Sequence, residues 1–175
     1  MRAMKRAANA LQLRAVVSCF IGLLLMGCNV KDKWIEQMIL EMESAWIEAE
    51  KAGRGQEGRD AAVLVVVQKY FRPGMLKEEA FVLLRQLKED GFDVGEYRHE
   101  GARNWPDGEL KPYLDEEIRK SHQNWLPKGL GRFVAEKQYG RVRLFATKHA
   151  AIGFRALDSS SVITEVEGTI SASGI

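Results

Sequence analysis

Cys28 carries the clearest chemistry in this chain. Its thiol closes the tetrapeptide Leu25-Met26-Gly27-Cys28, directly after a small residue. Upstream, Arg2, Lys5, Arg6 and Arg14 occur without an acid, and an uncharged run of 13 residues follows from Ala15 to Gly27. A charged lead, an apolar run and a small residue at the cut form the layout of a secretory signal. A helix that crosses a bilayer takes about 17 to 25 residues, so length argues against a permanent span. Cleavage after Gly27 would make Cys28 the first residue of the mature chain. Other reactive side chains do not assemble by spacing. His99, His122 and His149 stand far apart with no second thiol to join them, so no metal site is indicated. No G-x-S-x-G elbow or phosphate-binding loop occurs, and Gly129-Leu130-Gly131 lacks a third glycine. The acid pairs Glu78-Glu79, Asp115-Glu116-Glu117 and Glu165/Glu167 have the types needed for general acid and base, but acids on helix surfaces and exposed strands are ordinarily solvated. The expectation is a protein that is not an enzyme and takes no cofactor.

The tetrapeptide resembles the lipobox of bacterial lipoproteins. That resemblance implies cleavage between Gly27 and Cys28, acylation of the Cys28 thiol, and a mature N-terminus carrying a diacylglycerol and an N-acyl chain. One acyl chain holds a protein only marginally and two signals anchor it firmly, so such a terminus would not detach. The family pattern also places Asp after the cysteine of proteins kept at the inner membrane of enteric bacteria. Here that residue is Asn29, which implies the outer membrane, facing the periplasm. A soluble export signal cut after a small residue is the alternative. Only Asn29, Val30 and Lys31 precede the next helical pattern, so the folded part is expected close to the lipid surface.

Removing residues 1–27 changes the charge balance. That segment holds four of the 26 basic residues and none of the 24 acidic ones, so the remainder carries a net charge of −2. No overall positive field remains to attract nucleic acid. Cys19 leaves with the signal and Cys28 is consumed by lipid, so no pair is left for a disulfide and stability must come from packing. The remaining 148 of 175 residues suit one domain with a sizeable core, or a smaller domain with appendages.

Three helices are expected first. Trp34, Ile35, Met38, Ile39, Met42, Ala45, Trp46 and Ala49 recur at helical spacing, which predicts an amphipathic helix over about 32–52 with Asp32 as its cap. Its tryptophans belong to a core or dock on lipid or a partner helix. Gly53 to Gly58 reads as a glycine-rich loop. Val63-Leu64-Val65-Val66-Val67 favours a strand by propensity, but Asp60 as a cap and Pro73-Gly74 as a break favour helix, turn, helix over 60–90. The second of these, from about Leu76 to Asp90, turns Ala80, Phe81, Leu83, Leu84 and Leu87 inward and stops at Gly91.

Residues 93–131 read as irregular, with an aromatic and proline-rich insert at about 98–131 that holds Trp105, Pro106, Pro112, Tyr113, Trp125 and Pro127. Within it Tyr113, Leu114, Ile118, His122 and Trp125 share a helical face, predicting a short helix from about Pro112 to Leu126. These aromatics either contact a partner or plug the sheet edge. Alternation from Arg132 to Arg155 predicts antiparallel strands. Arg132, Lys137, Arg141, Arg143, Lys148 and Arg155 face Glu136 alone in that segment, an excess of +5. Such a face meets anionic lipid or an acidic partner, or is a solvated face guarded by its charges.

Phe71-Arg72-Pro73-Gly74-Met75-Leu76-Lys77-Glu78-Glu79-Ala80, then Leu83-Leu84 and Gly91-Phe92, is similar to a pattern of the BamE-like (SmpA/OmlA) group of envelope lipoproteins. Ile152-Gly153-Phe154-Arg155, Asp158-Ser159-Ser160-Ser161 and Val162-Ile163-Thr164-Glu165-Val166 are similar to that group's last hairpin. The resemblance spans about 61–170 and implies two helices with an antiparallel sheet. It departs at Leu76, where the group has a capping Ser or Thr.

The whole is read as an α+β protein: signal over 1–27, lipidated cysteine with N-terminal helix and loop over 28–58, and an α+β domain over 59–175. Its expected role is a binding or scaffold accessory of the cell envelope, attached to the bilayer through Cys28. Trp105, Tyr113, Trp125, Arg141 and Arg143 are the expected contacts to a protein partner, with no nucleic acid and no small-molecule substrate. The alternative is an inhibitor or immunity protein that docks on a periplasmic hydrolase or toxin.

Overall fold

The computed structural model describes residues 33–113, 126–143 and 146–174. Three helices, α1 (Lys33–Lys51), α2 (Gln56–Val67) and α3 (Lys77–Glu89), precede six strands: β1 (Asp93–Tyr97), β2 (Gly101–Asn104), β3 (Lys111–Pro112), β4 (Leu130–Arg143), β5 (Ala146–Leu157) and β6 (Glu165–Gly174). The fold class is α+β. The strands form one antiparallel sheet in the order β3-β2-β1-β4-β5-β6. The chain divides into two units, Met1–Glu36 and Gln37–Ile175. Of the first, the described part is the opening turn of α1; the second holds everything else considered below.

Helix α2 resolves the conflict over the valine run. Val63, Val66 and Val67 lie at i, i+3 and i+4 and are buried, while Val65 is exposed. That is helical periodicity, and tertiary burial overrides the strand preference of β-branched residues. The helix also starts earlier than Asp60. Gly55 is its N-cap and Gln56 its first residue, so Gly58 lies inside the first turn and not in a loop. Asp60 is used elsewhere: it accepts hydrogen bonds from Gln56 Nε2 at 2.8 Å and from Thr169 Oγ1 at 2.6 Å. The helix thereby crosses strand β6.

Helix α3 has Leu76 at its N-cap position and no side-chain cap. Its exposed donors are met by the connection between β5 and β6. Lys77 N donates to Ser161 O at 2.8 Å, Gly74 N to Ile163 O at 2.9 Å, and Ile163 N returns to Met75 O at 2.9 Å. The backbone of a distant loop replaces the serine or threonine that a helix start normally uses. At the other end Gly91, at φ +88, lets Phe92 N reach Leu87 O and Gly91 N reach Lys88 O, the paired bonds of a Schellman stop.

The core lies between the helices and one face of the sheet. Phe81 of α3 meets Phe133 edge-on at 4.9 Å between ring centroids, Phe133 stacks on Phe154 at 5.1 Å, and Phe71 stacks on Phe154 at 6.0 Å. Ala80, Leu84, Leu87, Ile152, Ile163 and Ile170 fill the spaces around them.

The segment expected to be irregular contains β1, β2 and β3. Its strands escape hydrophobic patterning because charged side chains point inward at Glu96 and Arg103, where alternation would call for apolar ones. Lys111 and Pro112 belong to β3 and do not start a helix; the rest of the expected helix, 114–125, lies outside the described residues.

Two measurements test this packing. A Cβ on Gly168 would sit 2.5 Å from Val67 Cγ2, where α2 crosses β6. Gly168→Ala should therefore lose about 1 to 3 kcal/mol in urea unfolding, the usual effect of overpacking. Tyr139 on β4 has a buried hydroxyl with no hydrogen-bond partner among the described residues, and burial pushes its phenol up to about 12. An unfolded tyrosine ionises at about 10, so the native state keeps a proton that the unfolded state has lost. Stability from this source is intact below about pH 10 and falls as pH rises from there to about 12. Tyr139→Phe should flatten that fall when unfolding is compared at about pH 9 and about pH 11.

Candidate functional site

Side chains alternate between the two faces of a strand, so the register sorts the sheet into a helix side and an outer side. On the helix side Arg103, Glu96, Phe133, Phe154 and Val166 stand in one row across five strands. Glu96 is 1 % exposed among these apolar residues. Arg98 Nε lies 2.5 Å from one carboxylate oxygen of Glu96, and Arg103 Nε lies 2.5 Å from the other. Arg98 further pairs with Asp158 and holds its guanidinium 5.7 Å from the Phe133 ring. A buried carboxylate is stable only when its lone pairs are met, and here two guanidinium groups meet them.

The outer side carries three parallel rows. The first is Ala102, Tyr97, Arg132, Arg155 and Glu165; the second is Asn104, Gly95, Val134, Gly153 and Glu167; the third is Asp93, Glu136, Ala151 and Thr169. Two helices reach the borders of these rows: Asp60 of α2 accepts from Thr169 at 2.6 Å, and Lys88 of α3 lies beside Asp93 and Glu136 at the rim of the first cavity described below. Because Gly95 and Gly153 present no side chain and Val134 is sunk to 5 % exposure, the middle row is the floor of a trough. A cavity of about 260 Å³ opens over Gly95 and Val134, bordered by Asp93, Tyr97, Asn104 and Glu136. A second, of about 210 Å³, continues over Gly153, bordered by Arg132, Glu167, Thr169 and Asp60.

Charges in the trough are unevenly balanced. Arg132 donates to Glu167 through Nε at 2.8 Å and Nη2 at 2.6 Å, and stacks 5.8 Å from the Tyr97 ring centroid. Arg155 donates to Glu167 at 3.0 Å and pairs with Glu165 at 2.8 Å. Both outer arginines are thus neutralised within the sheet. Asp93 and Glu136 sit directly opposite one another, both exposed, and neither has an ion-pair partner among the described residues. Like charges placed opposite in a ladder destabilise it.

The expected basic face is therefore corrected. Arg132 and Arg155 point outward and are paired as above; Lys137 and Lys148 point to the helix side, where Lys137 reaches Asp90 at 2.7 Å and Lys148 pairs with Glu43 of α1. Counting Asp93, Glu136, Glu165 and Glu167 against Arg132 and Arg155, the outer rows are net acidic. Sequence proximity grouped cations that the pleat separates.

Trp105 is likewise corrected as a surface contact. It is 6 % exposed and packs against Phe81 at 5.3 Å, with Arg85 over its ring at 5.5 Å. Tyr113 follows β3 and is half-buried; burial first, and the nearby Tyr97 second, raise its phenol above the ordinary range. Trp125, Gly27 and Cys28 lie outside the described residues, and Arg141 and Arg143 are placed only as backbone of β4, opposite Thr147 and Ala146. Of the five expected contacts, Trp105 and Tyr113 alone have described side chains, and whether the five gather lies outside the described residues. Sequence reading missed Glu96, Asp93 and Glu136; the alternation Asp93-Val94-Gly95-Glu96-Tyr97 was the available signal, masked by glycine and by an acid on the inner face. Among the described residues no three His, Cys, Asp or Glu side chains gather as metal ligands do.

Comparison with protein families, with curated proteins and with solved structures returns no match for this chain.

Removing the carboxylate of Glu96 would leave Arg98 and Arg103 facing an apolar row. Glu96→Ala should lose about 3 kcal/mol in denaturant unfolding, the scale of breaking a buried ion pair from one side.

Proposed function

We propose that this chain is a lipid-anchored protein of the bacterial envelope that acts by binding, as an accessory or scaffold, with Cys28 as its acylated attachment point. The observation that carries this reading is the sequence Leu25-Met26-Gly27-Cys28 at the end of a basic and then uncharged lead. Asn29 to Asp32 is all the chain between that thiol and the start of α1. Among the described residues no helix is long and apolar enough to cross a membrane. In this reading the acyl chains hold the protein at the membrane, and Asn29 points to the outer membrane as the destination. The binding role rests on the long shallow trough of the outer sheet face, which offers shape and charge to a ligand.

The test is labelling with a fatty-acid analogue in a lipoprotein-processing bacterium, followed by membrane fractionation. The full chain should take label, shorten by the signal and partition with outer membranes, and Cys28→Ser should take none. Unlabelled, unshortened native chain overturns the reading.

A further inference from the structure

We infer that the trough on the outer face of the sheet binds an extended, lysine- or arginine-bearing segment of a partner protein, laid across the strands with its cations on Asp93 and Glu136. This rests on the binding role proposed above and is independent of the lipid anchor.

The trough has the dimensions of an extended peptide. It runs from Asn104 on β2 to Glu167 on β6, crossing five strands. At about 4.8 Å per strand its floor is about 19 Å long, which an extended chain covers with about six residues at about 3.3 Å each. The glycines set its depth. With any side chain at position 95 the floor would rise into the Tyr97 ring, whose Cε2 is already 3.3 Å from where a Cβ would stand.

Its charge selects the occupant. Arg132 and Arg155 are engaged by Glu167 and Glu165, so they have little left to offer an acidic ligand. Asp93 and Glu136 border the cavity over Gly95 and form no ion pair with a described cation; Lys88, which also borders it, keeps its charge while donating to Trp105 O at 2.7 Å, so the lining is net acidic by one. A partner's ammonium or guanidinium between these carboxylates removes their mutual repulsion and finds the Tyr97 ring beside it. The facing pair therefore lowers the stability of the free sheet and is relieved by binding.

The probe is the peptide acetyl-Ser-Lys-Ser-Lys-Ser-Lys-amide, titrated into isotope-labelled full chain in a zwitterionic detergent, with acetyl-Ser-Glu-Ser-Glu-Ser-Glu-amide as its counterpart. The basic peptide should bind saturably, shift the amide signals of Gly95, Val134 and Gly153, and weaken as salt is raised. The acidic peptide should not bind. Asp93→Asn combined with Glu136→Gln should weaken the basic peptide about tenfold while the melting temperature stays level or rises. Gly95→Ser, which raises the floor and keeps both carboxylates, should weaken it as well. No saturable binding, equal binding of both peptides, shifts confined elsewhere, or unchanged affinity in the double variant each overturn the inference. Failed lipid labelling with this binding intact would reject the anchor alone.

Discussion

Glu96 is the point at which the two halves of this fold are tied together. Its carboxylate is buried beside Phe133 and is met by Arg98 from the end of its own strand and by Arg103 from β2. The same Arg98 reaches Asp158, in the connection that supplies backbone acceptors and donors to the uncapped start of α3. One ion cluster therefore links the β1–β2 hairpin, the centre of the sheet and the loop that seats a helix. Desolvation makes this arrangement demanding, because a buried charge is tolerated only with complete partnering. The gain is register. Sliding β1 by one residue would turn Glu96 outward and put its neighbours against Phe133, so the cluster permits a single alignment.

That alignment also creates the outer face. Once Glu96 points inward, Asp93, Gly95 and Tyr97 must point outward, and the pairings of β1 with β4 place them beside Glu136, Val134 and Arg132. The trough is thus a consequence of the inner ion cluster, obtained through the pleat and not through any loop. Its glycines are permitted because they lie in strands whose other face is packed. Gly153 is held even more tightly than Gly95, since a Cβ there would meet the Phe133 carbonyl oxygen at 2.9 Å.

Helix periodicity was readable wherever apolar residues recur at i, i+3 and i+4: α3 falls within one residue of the expected span, and α2 is helical as its context suggested despite five consecutive β-preferring or apolar residues. The sheet was half readable. β4 and β5 alternate visibly, but β1 and β2 are short and put charge on the buried side, which inverts the pattern that alternation relies on. Position within a run also misled. Arg132, Lys137, Lys148 and Arg155 look like one basic stripe along the chain, yet strand parity sends two to each face and tertiary contacts give each an acid. Trp105 looked like a loop aromatic because the strand leading to it was not recognised. Charge pairing across 35 residues, as between Arg132 and Glu167, leaves no local trace in a single sequence.

The proposed anchor would raise the occupancy of the proposed site without being needed for its contacts. A trough this open offers its ligand solvated ion pairs, each worth about 0.2 to 1 kcal/mol, and little apolar surface. Such contacts discriminate by charge and shape more than they hold, so free in solution they would give brief encounters. Confinement at a lipid surface changes the balance without altering the contacts. A partner in the same membrane is then met at an effective concentration set by tether length, and a weak site becomes sufficiently occupied. With four residues between Cys28 and α1, the proposed tether would be short and the accessible volume small. If both proposals hold, weak, charge-selective contact and firm attachment would complement one another, whereas a tight pocket would gain little from an anchor.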